Sequence, residues 1–335
     1  MAELKKIPYS ILELAGVAKN TSIKQTFDNS LDLARKAEAM GYTRFWLAEH
    51  HNMITIASSA TSVLIGHIAG GTSRIRVGSG GIMLPNHSPL IVSEQFGTLG
   101  TLYPDRIDLG VGRAPGTDKA TAQAIRPDRV KSVLKFPEEV RQIQQYFSTE
   151  NARNEVRVAL AEGVKVPVYI LGSSTDSAHV AADMGLPYVF ASHFASAQLH
   201  EALHIYRNNF KPSGFLKAPY VIAGVNIIAA DTGSEAERTA TSYIKLVLGV
   251  MTGRMDYIQP PEDFTDEYRQ IIAHPGFQNM VRYAFIGDAE TVKLKTKAFV
   301  EETGVDEIMA VSHMYDHNDR VRSFEIFSEI MKENL

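Results

Sequence analysis

Phe45-Trp46-Leu47-Ala48-Glu49-His50-His51-Asn52 is the stretch on which the reading of this chain turns. Four apolar residues end abruptly in one carboxylate, two imidazoles and an amide. A buried strand that opens at its C-terminal end into reactive groups has that composition. Three later apolar runs end in comparable clusters: Gly78-Ser79-Gly80-Gly81, Gly110-Val111-Gly112-Arg113 and Leu171-Gly172-Ser173-Ser174. Several strands that deliver reactive or anion-binding residues at the same end imply a parallel barrel with its chemistry on one face.

The order of elements around these runs supports that architecture. Ile7–Leu14, Arg44–Ala48, Arg74–Met83, Ile107–Val111, Val166–Leu171, Pro187–Ala191, Tyr220–Ala230 and Glu307–Val311 read as eight strands, rich in β-branched and apolar residues. Between them lie helical patterns such as Thr26–Met40, with Gly41 at the place of a helix-ending glycine. Eight strands alternating with helices predict an α/β fold, a (β/α)8 TIM barrel, with right-handed crossovers placing all strand C-termini on one face. Two segments exceed the minimal unit: a loop over Ala114–Lys135, and an insertion over Met251–Tyr283 before the last βα unit. Loops of that length in a compact domain are usually functional or mobile.

Composition bounds the function. The 335 residues are 44% hydrophobic and 21% charged, ordinary for a soluble globular chain. A net charge of −4 speaks against a nucleic-acid surface. No apolar run approaches the roughly 18 residues that span a bilayer. With no signal-like N-terminus, cytoplasm is the expected compartment. The absence of cysteine removes thiolate zinc sites, iron–sulfur clusters and cysteine nucleophiles.

Each motif has a bland reading beside the chemical one. Alternation places Trp46, Ala48 and His50 on one side of their strand and Phe45, Leu47, Glu49 and His51 on the other. His50 toward the barrel mouth suits a general base; alone, it would more often be a hydrogen-bonded strand cap. Adjacent histidines diverge, and no His-Glu-x-x-His run is present, so a metal site is not expected. Gly80 and Gly81 allow close approach of a flat ligand, or mark a bulge. The run from Gly110 through Gly112 and Arg113 superficially matches a dinucleotide fingerprint, but Pro115 stands where the third glycine belongs. What remains is a glycine that admits something flat and an arginine suited to phosphate or to a surface ion pair. Ser174 or Thr175 can cap the helix that follows, whose free N–H groups favour an anion, with Ser173 and Ser177 adding hydroxyls. His193 and His313 follow the sixth and eighth strands, lining the mouth or capping it. The small-residue helix Ser58–Ala69 suits a homodimer contact as well as packing on the barrel.

Taken in order, these residues resemble the bacterial luciferase-like flavin monooxygenases, of the single-chain and not the light-emitting type. Beyond the four clusters, the resemblance rests on Ile82-Met83-Leu84-Pro85, Glu94-Gln95-Phe96 with Gly97 to Leu102, and Gly287-Asp288 through Thr303-Gly304-Val305-Asp306-Glu307-Ile308-Met309. It covers essentially the whole chain and implies one domain over 1–335, with 251–283 as a mobile lid. It implies reduced FMN at the C-terminal face and a flavin peroxide that inserts one atom of O2 into a small organic substrate. His50 matches the catalytic base, and Gly80-Gly81 a cis peptide beneath the flavin. Arg113, Ser174 and Ser177 match phosphate ligands. The expected cofactor contacts are thus Gly80, Gly81, Gly112, Arg113, Gly172, Ser173, Ser174, Ser177 and His193. Gly112 stands where light-emitting subunits carry a reactive cysteine, a departure that puts light emission in doubt. With no separate dinucleotide-binding domain in the pattern, a flavin reductase is the expected partner. A deazaflavin-dependent oxidoreductase, or a flavin-binding protein without catalysis, are the alternatives on the same barrel.

Overall fold

A computed structural model describes residues 7–114, 116–127 and 133–333. Pro115, on which the fingerprint argument turned, and residues 128–132 of the long loop lie outside the described residues. The strands are β1 (Tyr9–Glu13), β2 (Arg44–Leu47), β3 (Arg76–Met83), β4 (Ile107–Gly112), β5 (Val168–Gly172), β6 (Tyr188–Phe190), β7 (Val221–Ala229), β8 (Ala284–Gly287) and β9 (Glu307–Val311). All pair in parallel, and β1–β7 with β9 close into an eight-stranded barrel through the β7–β9 and β9–β1 pairs. The helices are α1 (Ile23–Met40), α2 (Thr61–Gly70), α3 (Pro89–Leu102), α4 (Lys119–Ile125), α5 (Phe136–Phe147), α6 (Thr175–Met184), α7 (Leu199–Asn209), α8 (Gly233–Thr252), α9 (Asp266–Ala273), α10 (Pro275–Val281), α11 (Ala289–Thr303) and α12 (His317–Lys332). No helix among the described residues is long and apolar enough to cross a membrane.

The alternation read from the second strand holds. Phe45 and Leu47 join the layer between strands and helices, while Trp46 and Ala48 face the lumen with Leu12, Tyr169, Val189, Ile222 and Met309. Glycine makes room for the indole: a Cβ on Gly78 would lie 2.9 Å from Trp46 Nε1 and 2.4 Å from the Asp108 carbonyl.

Below this apolar layer, at the N-terminal end of the strands, the lumen holds a buried charged layer. Arg44 on β2 donates to Glu307 on β9 at 2.8 Å, to Asp108 on β4 at 3.0 Å and to the Tyr169 hydroxyl at 2.8 Å. Asp108 also accepts from Trp46 Nε1 and Arg76, and Glu307 from Ser10 and Tyr220. Neither β4 nor β9 neighbours β2. One side chain reaches both only across the lumen.

The insertion departs from the expected long loop. After α8 it forms α9 and α10, and directly behind it β8, a short strand outside the closed barrel, pairs with the end of β7 over Asn226–Ala229. A second small core of Ile228, Tyr243, Ile244, Tyr268, Phe277 and Met314 holds this unit beside the mouth. Its leading segment is clasped to the β1–α1 loop: Ile258 N donates to Val17 O at 3.0 Å, and Lys19 N to Ile258 O at 2.9 Å. Val17 N in turn donates to Thr55 O in the loop after β2. The loop over 114–135 also carries structure, since Asp118 caps α4 through Thr121 N.

Replacing Arg44 with Met leaves Glu307 and Asp108 buried without their common cation. Arg44→Met is expected to lose about 3–5 kcal/mol of stability, read as a lower urea midpoint.

Candidate functional site

Six strand ends build the site. At the end of β2, Glu49 is 1% exposed and gathers the surrounding loops. It accepts from His51 Nε2 at 2.9 Å, His87 Nε2 at 2.9 Å, Met83 N at 3.0 Å and Asn86 Nδ2 at 3.3 Å. Burial alone would raise this carboxyl. The bonds from His51 and His87, the charge of His87 and the Met83 amide outweigh it and bring the group down to about 2. The loop after β3 is thereby fastened to β2.

His50 diverges from His51. Its Nδ1 is 3.2 Å from the Gly116 carbonyl, which also accepts from His51 N at 3.3 Å. Gly116 has φ +65°, and a Cβ there would meet the Glu49 carbonyl at 2.7 Å, so only glycine fits at this shared acceptor. A carbonyl can only accept. Nδ1 therefore carries the proton, and Nε2 is left with a free lone pair, the tautomer a general base requires. Burial holds the His50 ring below its ordinary value, against the opposing pull of Gly116 and Glu49. It is neutral near pH 7.

At the end of β3 the Gly80–Gly81 peptide is cis, and the register with β4 shifts between Ser79 and Ile82. A Cβ on Gly80 would lie 2.6 Å from Leu12, and one on Gly81 2.7 Å from the Gly110 carbonyl. The β4 backbone fixes position 81 as glycine, while a side chain at position 80 would displace Leu12. Gly112, at the end of β4, backs onto the Met83 thioether, 3.2 Å from where its Cβ would stand.

Arg113 follows. Its guanidinium meets Asp176 in the first turn of α6 at 2.5 Å, with the two side chains 38% and 62% exposed. The ion-pair reading and the anion-site reading thus meet at one place, because Asp176 brings Arg113 to the start of α6. Ser174 is the N-cap of α6 in extended conformation but makes no side-chain capping bond, unlike Ser22, Asp118, Thr232, Asp288 and Asp316 at other helices. Ser177 is turned inward: its hydroxyl donates to the Ser174 carbonyl at 3.0 Å and lies 3.1 Å from the Tyr188 hydroxyl. Gly172 is what admits it, since a Cβ there would fall on Ser177 Oγ. Ser173 is half-buried in the same turn.

His193 and His313 stand at the ends of β6 and β9. His193 shares a cavity with Gly80, Leu12, Trp46 and Met309. His313 stacks on Tyr243 at 6.0 Å between centroids. Burial, and then the neighbouring imidazoles, push His193 down to about 3; burial and Arg320 push His313 down to about 4. Among the described residues no group of three histidines or carboxylates is placed to hold a metal ion. Sequence reasoning missed the hub at Glu49, though a lone carboxylate beside two imidazoles was its signal. It also missed Gly116 and Gly224, which act only through what they touch.

Comparison with known proteins adds a family. The sequence profile described as luciferase-like monooxygenase matches residues 8–325. The chain is 49% identical over 324 residues to the uncharacterized protein YvbT of Bacillus subtilis strain 168, covering 96% of each. It is 45% identical over 331 residues to a luciferase-like monooxygenase of Escherichia coli K12, covering 99% of each. Apo-MsnO8 superposes with a TM-score of 0.89 at 32% identity, over 97% of this chain and 98% of that one. The oxygenating constituent of a 3,6-diketocamphane monooxygenase from Pseudomonas putida, in complex with FMN, superposes at 0.74 with 17% identity, over 99% of each. An F420-dependent secondary alcohol dehydrogenase does so at 0.69 with 15% identity, over 97% and 98%. The last two share the fold.

Glu49 gives a pH-dependent expectation. Its folded-state value lies below the ordinary carboxylate value, so its contribution is present above about pH 4.5 and is lost as pH falls toward 2. The full contribution is roughly 3 kcal/mol. In urea unfolding, the wild-type advantage over Glu49→Gln should be complete at pH 6 and shrink steadily below pH 4.5; a constant gap would refute the ionised hub.

Proposed function

The chain belongs to the luciferase-like monooxygenase family, and from that premise we propose that it binds reduced FMN at the barrel mouth and inserts one atom of O2 into a small organic substrate. The observation that carries this reading is Arg113 beside the uncapped start of α6, on the face that also holds cis Gly80–Gly81 and His50. A guanidinium next to free helix N–H groups suits a terminal phosphate. The glycines at the ends of β3 and β4 leave backbone surface for a flat ring system. When bound, reduced FMN supplies the electrons that activate oxygen.

The chain's own residues orient, dry and control protons. His50 keeps its Nδ1–H on Gly116 and accepts a proton at Nε2. Glu49 holds the loops under the ring site in place. The 251–283 insertion acts as the lid, its helices packed on Tyr243 at the mouth. A partner reductase supplies reduced FMN, and rapid NADH oxidation by the chain alone would count against that. Two copies pair through α2 and α3, where Val63 and Leu102 are 70% and 63% exposed; light scattering should then return twice 36.9 kDa.

The deciding experiment is an anaerobic titration with reduced FMN and, in parallel, reduced riboflavin. FMN should bind the more tightly, and Arg113→Ala should weaken FMN by about 10- to 100-fold, the size of a charged hydrogen bond, without affecting riboflavin. His50→Ala should leave both titrations unchanged and slow turnover about 10²- to 10⁴-fold. Equal binding of FMN and riboflavin would sink the phosphate site. Preference for a deazaflavin would move the protein to the oxidoreductase alternative.

A further inference from the structure

His50 owes its free Nε2 lone pair to one carbonyl, and the bonds that carbonyl accepts are too long to hold it. Gly116 O takes the His50 Nδ1–H at 3.2 Å and the His51 N–H at 3.3 Å, both at the long end of the range. Gly116 lies between β4 and α4, in neither strand nor helix. Two shorter bonds keep it in register with the imidazole. Thr117 Oγ1 donates to the His51 carbonyl at 2.8 Å, and Asn52 Nδ2 donates to Asp118 Oδ2 at 3.1 Å. Residues 50–52 and 116–118 thus run side by side, bonded at each step: His50 and His51 to Gly116, His51 to Thr117, Asn52 to Asp118.

Asp118 divides its two oxygens between two tasks. Oδ1 accepts from Thr121 N at 3.0 Å and caps α4. Oδ2 accepts from Asn52 Nδ2, and from Thr121 Oγ1 at 2.7 Å. α4 is held at its far end as well, where Arg126 donates to the His87 carbonyl at 2.7 Å, and the His87 ring is bonded to Glu49. Both ends of this helix are therefore tied back to the strand end that carries His50. Asn52 has φ +55°, a backbone state that asparagine and aspartate tolerate better than other side chains. This turn after His51 brings its amide to Asp118.

We propose that Asn52, Thr117 and Asp118 are positioning residues for His50: they hold the Gly116 carbonyl on Nδ1–H and so keep Nε2 unprotonated. The inference rests on the reading of His50 as the base and adds the residues that set its tautomer. All three act on the ring through Gly116. A neutral imidazole has one proton for two nitrogens. An acceptor that drifts away from Nδ1 lets that proton pass to Nε2, and the lone pair then lies on the wrong side of the ring. A purely structural role for Asp118, capping α4, predicts no dependence of the His50 ring on Asn52.

The test reads the tautomer directly and needs neither turnover nor flavin. In protein labelled with ¹⁵N in its histidines, long-range ¹H–¹⁵N spectra at neutral pH should show His50 protonated on Nδ1. Asn52→Asp sets two carboxylates against each other. Asp118→Asn leaves an oxygen for the α4 cap and faces amide with amide. Each should raise the ratio of Nε2–H to Nδ1–H at His50 about fivefold, the size of one net hydrogen bond. The two exchanges change the local charge in opposite senses, so a shift they share reports the pair and not the field. Combining them restores one donor and one acceptor at the original net charge, and should return the wild-type ratio. Thr117→Val removes the neighbouring bond alone and should shift the ratio the same way. A wild-type His50 that is charged, or protonated on Nε2, overturns the proposal. So does a ratio that stays constant across the single exchanges, or one that the double exchange fails to restore. Turnover of His50→Ala is read separately: if it is unaffected, the base reading falls while the hold on the ring stands.

Discussion

The barrel closes around one guanidinium. Arg44 lies in the lumen with partners on β4, β5 and β9, and its Cζ sits 5.2 Å from the centre of the Tyr169 ring. A buried cation is tolerated only with its hydrogen bonds filled. Asp108 and Glu307 fill them, and Trp46, Arg76, Ser10 and Tyr220 complete the two carboxylates in turn. The layer therefore dictates which strands stand opposite one another. Above it, Trp46 covers the charges with an indole. The strand ends are thereby left to carry chemistry instead of closing the fold.

At the mouth the same economy appears in reverse. Buried carbonyls and one buried carboxylate set the polarity of side chains that remain open. Gly116 gives His50 its base tautomer, and Glu49 absorbs the two imidazoles that would otherwise compete with it. The His193 ring packs into the notch at Gly224.

The parts of this arrangement legible in the sequence are those carried by local pattern. The barrel strands follow from apolar runs ending in polar clusters, and the alternation of Trp46 against Phe45 and Leu47 from period two. Ala284–Gly287 escaped notice because four residues between an insertion and a helix give no periodic signal. α4 escaped because Lys119–Ile125 is short and its apolar alanines recur at every second residue, without helical spacing. The insertion read as a loop because its helices bury their faces on α8 and β8, partners no local window contains. In the site, residue types were visible but pairings were not. Glu49 finds His87 38 positions away, and the notch for His193 is set by a glycine on the next strand.

The β1–β9 pair joins Tyr9 to Ile308, almost the full length of the chain. During synthesis the first strand waits, its edge unpaired, until nearly everything else has left the ribosome. Glu307 arrives in that same last strand, so Arg44 keeps a hydrated, incompletely paired guanidinium until the final closure. Such late long-range contacts slow folding and expose strand edges to other chains. A prematurely terminated copy lacking residues beyond 300 is therefore an open sheet whose Arg44 has lost one of its two carboxylates, a species suited to capture by chaperones or proteases.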